Sequence, residues 1–392
     1  MGKSGKDFSL PERGFAFWPV GTGDTTTVAV DEKTVMQVDL HHLECADEDE
    51  DPRTPIIDRL VELLPKVDGK PYLATFVLTH PDEDHCCGFG EFLKRVKIGE
   101  LWFSPRIFRE YKKDLCADAK AFCKEATRRV NKTIADPAGV ASGDRVRIIG
   151  YDELLKEDEY AGFPKERLTV PGNAVTELDG TDCSATFRAF VHAPFKDDAD
   201  GERNDTSIAI QVTLIKGKGV GKCLLLGDHC YPALKKIFDY SDDADLEWNV
   251  MLAPHHCSKS AMYWCDEGEK EESLKQDILD AMEEAEQSPG YIVASSDPIP
   301  ESNQSGDNPP HAKAKRRYEE IVDDEFICTQ EHPNKEHPQP VVFEVTESGV
   351  ILQESEDAKK DESQKSLAAA VVTARGTSEP PKDRVGFGRR DD

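Results

Sequence analysis

Two hydrophobic periods alternate along the chain, and each switch from one to the other marks an element. Phe15–Val20, Thr25–Val30, Thr34–Leu40 and Tyr72–Leu78 are short runs rich in aromatic and β-branched residues between turn formers, which predicts buried strands. Gly21-Thr22-Gly23-Asp24 joins the first two as a tight turn, with glycine supplying φ > 0 and the aspartate bonding the turn's own backbone. After Thr54-Pro55, a cap followed by proline at the first helical position, Ile56, Ile57, Leu60, Leu63 and Leu64 recur at helical spacing. They predict a helix with one face on a sheet. Phe89–Val96 reads as a short helix, Ile98–Phe103 as a strand, and 106–133 as one long polar helix with Cys116 and Cys123 on its buried face. Residues 134–182 are rich in turns, with one strand near Arg145–Ile149. Strands return at Ala185–His192, Thr206–Leu214, Lys222–Leu226 and Asn249–Ala253, with a helix over 230–240. A helix His311–Val322, a strand Glu325–Thr329 and a hairpin of Val341–Val345 with Val350–Leu352 close the pattern.

The chemistry lies where the strands end. Tyr72–Leu78 runs into Thr79-His80-Pro81-Asp82-Glu83-Asp84-His85, where Pro81 stops the strand and His80, Asp82, Asp84 and His85 follow within six residues. Imidazole and carboxylate are ligands that Zn²⁺, Mn²⁺ and Fe accept, and four this close can serve two ions about 3.5–4 Å apart. Lys222–Leu226 runs into Gly227-Asp228-His229, and Asn249–Ala253 into Pro254-His255-His256-Cys257-Ser258-Lys259-Ser260. A single strand ending in Asp or His means little, but three such ends on one sheet edge converge on a metal site. Asp39, His41 and His42 end another strand and are weaker candidates, because a histidine at a strand end is more often held by hydrogen bonds.

Composition narrows the setting. With 38% hydrophobic residues among 392, the chain can bury a large core. Its 77 acidic and 49 basic residues, a formal charge of −28, argue against a general polyanion-binding surface, so any nucleic-acid contact is local. The 11 cysteines show no regular framework, which fits a reducing cytoplasm. Met1–Leu10 lacks a signal-peptide core, and no window approaches the roughly 18 apolar residues of a membrane span. Residues 355–392 are mostly charged, Ser, Pro and Gly, interrupted by Leu367–Val372, and read as a flexible tail with a patch that could dock on a partner.

Taken together, these motifs resemble the metallo-β-lactamase fold of metallohydrolases, whose marker is His-x-His-x-Asp-His after a strand, then a bridging Asp and a final His. Here Asp82 replaces the second His. With Val20-Gly21-Thr22-Gly23-Asp24, Asn204-Asp205-Thr206-Ser207, Leu226-Gly227-Asp228, Pro254-His255-His256-Cys257-Ser258-Lys259 and Asn308-Pro309-Pro310-His311, the pattern is most similar to the metallohydrolase domain of the ComEC-type competence channel. The resemblance implies an α/β fold, the αββα sandwich with two mixed sheets face to face and helices outside. It implies an extension over 1–14, the fold domain over 15–355 and the tail over 356–392.

The resemblance also implies two divalent metal ions, zinc or manganese. His80 and Asp82 would hold one, Asp84 and His85 the other; Asp228 would bridge, and His255, or His256 in its place, would complete the second site. The family's third histidine on the first ion has His192 as its best-placed counterpart. Two cations bridged by a carboxylate would lower the pKa of a bound water towards about 7 and polarise a phosphoryl or carbonyl oxygen. Asp84 could also orient the nucleophile, and Ser258 and Lys259 could contact a phosphate. A cytoplasmic phosphodiesterase or nuclease is the leading expectation, acting on single-stranded nucleic acid or a nucleotide-sized substrate. Short spacing between Asp228 and His255 leaves no room for a β-CASP domain. The alternatives are a lactone, β-lactam or thioester hydrolase, and a metal-stabilised subunit of a multi-protein system, such as one of host defence, that binds a protein partner through the acidic surface or the tail.

Overall fold

The computed structural model describes residues 8–109, 115–198, 203–304 and 306–354. Two mixed sheets pack face to face with helices on both outer sides, which is the αββα sandwich. In the first sheet Gly14–Phe17 pairs antiparallel with Val341–Thr346 and with Thr26–Ala29, so the late hairpin closes onto the first strand. Its other half is parallel: Val35–Val38, Lys70–Leu78, Lys97–Phe103 and Arg145–Ile149 lie side by side. The second sheet repeats the plan. Phe187–Ala193, Ala209–Lys216 and Gly219–Leu225 pair antiparallel, and Trp248–Leu252, Glu286–Ala294 and Glu325–Cys328 continue in parallel from Gly219–Leu225.

Strands covered on both faces need apolar residues on both, and the end of Lys70–Leu78 shows how they divide. Val77 faces the layer between the sheets with Phe17, Met36, Trp102, Val212 and Val250. Phe76 and Leu78 face the helices, beside Ile57, Leu60, Phe89, Phe92 and Phe122. The opposite outer layer seats Leu234, Ile237, Ile278, Met282 and Tyr318 on the second sheet. Lys70–Leu78, Gly219–Leu225 and Trp248–Leu252 all belong to parallel pairings, and their C-terminal ends are where open α/β sheets bind ligands.

Some elements differ from the sequence pattern. The helix expected over 106–133 is a turn Arg106–Arg109 and a separate helix Ala117–Ala135, with 110–114 outside the described residues. Cys116 is extended and caps the second helix by accepting from the Ala119 N–H, so it stands before the helix and not on its buried face. That face is made by Ala119, Phe122, Ala126 and Val130. Glu286–Ala294 carries no marked period in the sequence because it opens with Glu-Gln-Ser-Pro-Gly and only its end is apolar. The tail and its Leu367–Val372 patch lie outside the described residues. Among the described residues no helix is long and apolar enough to cross a membrane.

Phe76 is fully buried, with ring centroids 5.1, 6.3 and 6.1 Å from those of Phe89, Phe92 and Phe122. Phe76→Ala should destabilise the fold by about 3–5 kcal/mol, measured by denaturant unfolding.

Candidate metal centre

Leu78 ends its strand, and Thr79 turns the chain into the ligand loop. The Thr79 N–H and hydroxyl donate to the two oxygens of Asp39, at 2.8 and 2.6 Å, while its carbonyl accepts from Ile208 of the other sheet at 3.0 Å. His80 is thereby fixed at the seam between the sheets. Glu83–Cys86 forms one helical turn, with Asp82 at the cap position. An aspartate there usually bonds the first free N–H groups, but this one makes no such bond. Its carboxylate instead faces His80 Nε2 at 3.6 Å and accepts from Arg203 Nη1.

Asp228 is the hub. Its carboxylate lies 3.8 Å from His80 Nε2, 3.2 Å from His85 Nε2, 3.7 Å from His255 Nε2 and 3.5 Å from His256 Nε2. Gly227 precedes it with φ 56°, and a Cβ there would stand 2.9 Å from the Ser207 Cβ. Two consecutive histidines reach one carboxylate because His255, His256 and Cys257 all take left-handed backbone, at φ 49, 52 and 64°. Each such residue costs about 1–2 kcal/mol, strain of the kind that collects at functional sites. The rings are splayed by 77° with centroids 6.0 Å apart. His256 Nε2 also approaches Asp84 at 3.2 Å, whereas Ser260 meets His255 Nδ1 at 3.4 Å.

Asp24 was read from the sequence as a turn residue, yet it completes the buried cluster Asp24, His85, Asp228 and His256, whose ligand atoms lie within 4.8 Å of one another. Its carboxylate is 3.2 Å from His256 Nδ1, and its N–H donates to the Asp84 carbonyl at 3.1 Å. The loop is docked on the second sheet by Ser295 donating to the Gly23 carbonyl and by the Gly21 N–H donating to Gln330. Gly23 is required by close approach: a Cβ would meet His41 Nδ1 at 2.2 Å and the Asp84 carbonyl at 2.7 Å. Asp39, at φ 56°, aims its carboxylate at His85 Nδ1, 2.7 Å away. That contact fixes the ring so that Nε2 faces Asp228. His41 is buried beside the loop, its pKa lowered to about 4 by burial, and His42 faces Asp47 at 3.5 Å.

The donor set fits divalent metal. His80 Nε2, His85 Nε2, both nitrogens of His256, Asp24 Oδ1 and Asp228 Oδ1 are buried with no hydrogen-bond partner, although they crowd within charge-pairing distance of one another. Orphaned buried atoms of this kind need an explanation, and a cation supplies one. Burial opposes charge on His85 and His256, yet the surrounding aspartates, Asp228 first, raise both pKa values well above the ordinary range. Burial likewise pushes Asp228 and Asp84 upward, and the facing histidines outweigh it and hold both low.

Three expected residues have partners of their own. His192 bonds Ser241 Oγ at 2.7 Å and packs on Phe190, and its pKa is lowered to about 4 by burial; the structure does not bring it to the cluster. The fourth imidazole on Asp228 comes from the doublet His255-His256, which folds both rings inward. Lys259 directs its ammonium to both oxygens of Glu272, at 2.8 and 2.7 Å, a neutralising partner 13 residues downstream that its own stretch of sequence did not reveal. Ser258 is a buried cap, accepting from the Ser260 N–H and sharing a hydroxyl contact with Ser260.

No family model and no curated protein matches the sequence. Solved structures do. A B3 metallo-β-lactamase with an active-site glutamic acid is 10% identical over 71% of this chain and 85% of its own, with a TM-score of 0.35. The metallo-β-lactamase SMB-1 bound to 2-mercaptoethanesulfonate is 11% identical over 62% and 78%, with a TM-score of 0.30. A metallo-β-lactamase superfamily protein from Sulfolobus tokodaii is 12% identical over 79% and 97%, with a TM-score of 0.29. These structural neighbours are members of the metallo-β-lactamase superfamily, and at this level of likeness their activities remain their own.

Two outcomes follow from the geometry. Asp24→Asn and Asp39→Asn should each weaken metal binding by about 10–100-fold or more, measured by competition with a chelating dye. The second concerns pH. Relative to an unfolded value of about 6.5, the raised pKa values of His85 and His256 give stabilisation that is complete below that value and lost as pH climbs through the folded ones. For Asp84 and Asp228 the sign reverses: stabilisation is present above about 3.9 and lost on acidification. Metal-free protein should therefore melt at its highest temperature in mild acid and at progressively lower temperatures above neutrality. Metal-loaded protein should lack the alkaline fall, because a coordinated imidazole has already given up that proton.

Proposed function

We propose that the chain is a dinuclear metal-dependent hydrolase that cleaves phosphodiesters. The observation that carries this reading is one buried carboxylate, Asp228, within 3.2–3.8 Å of four imidazoles, with Asp82 and Asp84 beside it. His80, Asp82 and His255 would hold one ion and Asp84, His85, His256 and Asp24 the other, with Asp228 between them. Two divalent ions held there, zinc or manganese, would acidify a water and polarise a phosphoryl oxygen.

The protein's own part is exclusion and orientation. Side chains of Asp82, Asp84 and His255 are 29, 37 and 24% exposed, against 7% or less for Asp24, His80, His85, Asp228 and His256. Substrate thus approaches from one side, over Asp82, Asp84 and His255. Asp84 stays ionised on that open side, where it can accept a hydrogen bond from an incoming water. The phosphodiester preference rests on the similarity to the ComEC-type domain, and the charge of −28 favours a single strand or a nucleotide-sized substrate over long duplex.

Asp228→Ala should remove hydrolysis of bis(p-nitrophenyl) phosphate by more than the roughly 10–100-fold lost when a residue behind a ligand is changed. Metal content by elemental analysis should fall while the far-ultraviolet dichroism persists. Undiminished hydrolysis in the variant would end the reading, and a wild type that hydrolyses only lactones or thioesters would transfer it to those substrates.

A further inference from the structure

We propose that Cys86 and Cys116 are a modification site, a dithiol that a hydroperoxide converts to a disulfide, and that this bridge loosens the neighbouring metal centre. The inference rests on the metal centre described above and is independent of the phosphodiester reading.

The two thiols come from segments that are already docked on each other. Cys86 ends the turn Glu83–Cys86, which carries Asp84 and His85, and Cys116 caps the helix Ala117–Ala135. Asp118, in the first turn of that helix, accepts from the N–H groups of Gly88 and Gly90 at 2.9 and 2.8 Å. Beside these ties the two sulfurs stand 3.7 Å apart. A disulfide needs about 2.05 Å, so closure asks for a small movement shared by two side chains. Cys87, next in the chain, turns its thiol away and donates to the His42 carbonyl at 2.9 Å.

Position divides the chemistry between them. Cys116 is partly exposed, and its sulfur accepts the Ala119 N–H at 3.3 Å at the N-terminal end of a 19-residue helix, where negative charge is favoured. Its pKa is lowered to about 6, first by the Cys86 thiol beside it and then, against burial, by the N–H groups of Ala119 and Asp118. Its thiolate attacks one oxygen of the hydroperoxide and the O–O bond breaks. The departing oxygen keeps the electron pair and takes up a proton, leaving sulfenic acid at Cys116. Cys86 is fully buried, so it acts second: its sulfur attacks the Cys116 sulfur, and the hydroxide displaced leaves as water with the Cys86 proton. The two thiols lose two electrons, and the peroxide gains them.

That bridge costs the centre a bond. In the reduced protein the Cys86 thiol donates to the Asp82 carbonyl at 3.1 Å, where the His85 N–H also arrives at 3.2 Å. A disulfide has no S–H to donate, and it draws Cys86 towards the helix. The turn that presents Asp82, Asp84 and His85 thereby loses an internal tie.

The test treats reduced, full-length, zinc-loaded protein with hydrogen peroxide and locates the product by peptide mapping in the wild type itself. A mass lower by two hydrogens and a peptide pair joined through Cys86 and Cys116 are expected. Cys116→Ser, which keeps a capping oxygen, should form no bridge. Cys86→Ser should stop at the sulfenic acid, which dimedone labels at Cys116. Cys265→Ser, which removes an exposed thiol, should form the bridge as wild type does. In competition with a chelating dye, oxidised wild type should bind zinc about 10-fold or more weakly than reduced wild type. Dithiothreitol should restore the affinity, and peroxide should leave that of Cys116→Ser unchanged. Absence of a bridge between Cys86 and Cys116, or dimedone labelling spread over other cysteines in its place, would overturn the proposal. So would a bridge that forms and leaves zinc affinity where it was.

Discussion

Taking a bare carboxylate out of water costs several kcal/mol unless charge and hydrogen bonds meet it, and Asp228 is only 4% exposed. The four imidazoles around it come from two segments, the turn after Lys70–Leu78 and the turn after Trp248–Leu252, which lie in different sheets. The centre therefore forms only when the two sheets are correctly packed. The bond from Ile208 to the Thr79 carbonyl and the docking of the Gly21–Asp24 loop onto Ser295 and Gln330 are the local devices that hold this seam.

Strain and close approach sit at the same place. Three consecutive left-handed residues, His255 to Cys257, and the left-handed Asp39 are unfavourable on their own. They persist because the surrounding sheet ends fix them, and His255, His256 and Asp39 each set a ring or carboxylate facing the cluster. The core beneath is conventional by comparison: Phe76, Phe89, Phe92 and Phe122 pack the helices against the strand that ends in the ligand loop. Packing thus supplies the rigidity, and the rim spends part of it on ligand geometry.

The exposed side of the centre has a different balance. Its carboxylates answer to charge as much as to burial, and Asp82 divides itself between His80 and Arg203. The aspartate at position 82 places a negative charge at the rim. The Arg203 guanidinium beside it offsets that charge.

What the sequence determined was whatever depends on neighbours in the chain. The strand runs, the cluster His80, Asp82, Asp84 and His85, and the strand ends at Asp228 and His255-His256 were all legible, because period and ligand spacing are local properties. Only the tertiary structure decided the rest. Asp24 joins His85, Asp228 and His256 across the sheets, and no local pattern separates it from an ordinary turn aspartate. Both histidines of the doublet turn inward, where the resemblance implied one. His192 ends a strand as the ligands do, yet its ring goes to Ser241, and Lys259 follows the histidines yet is bound by Glu272. In each case the residue type was right for the chemistry. Which group a side chain meets depends on contacts between distant segments, and those are fixed only when the two sheets close on each other.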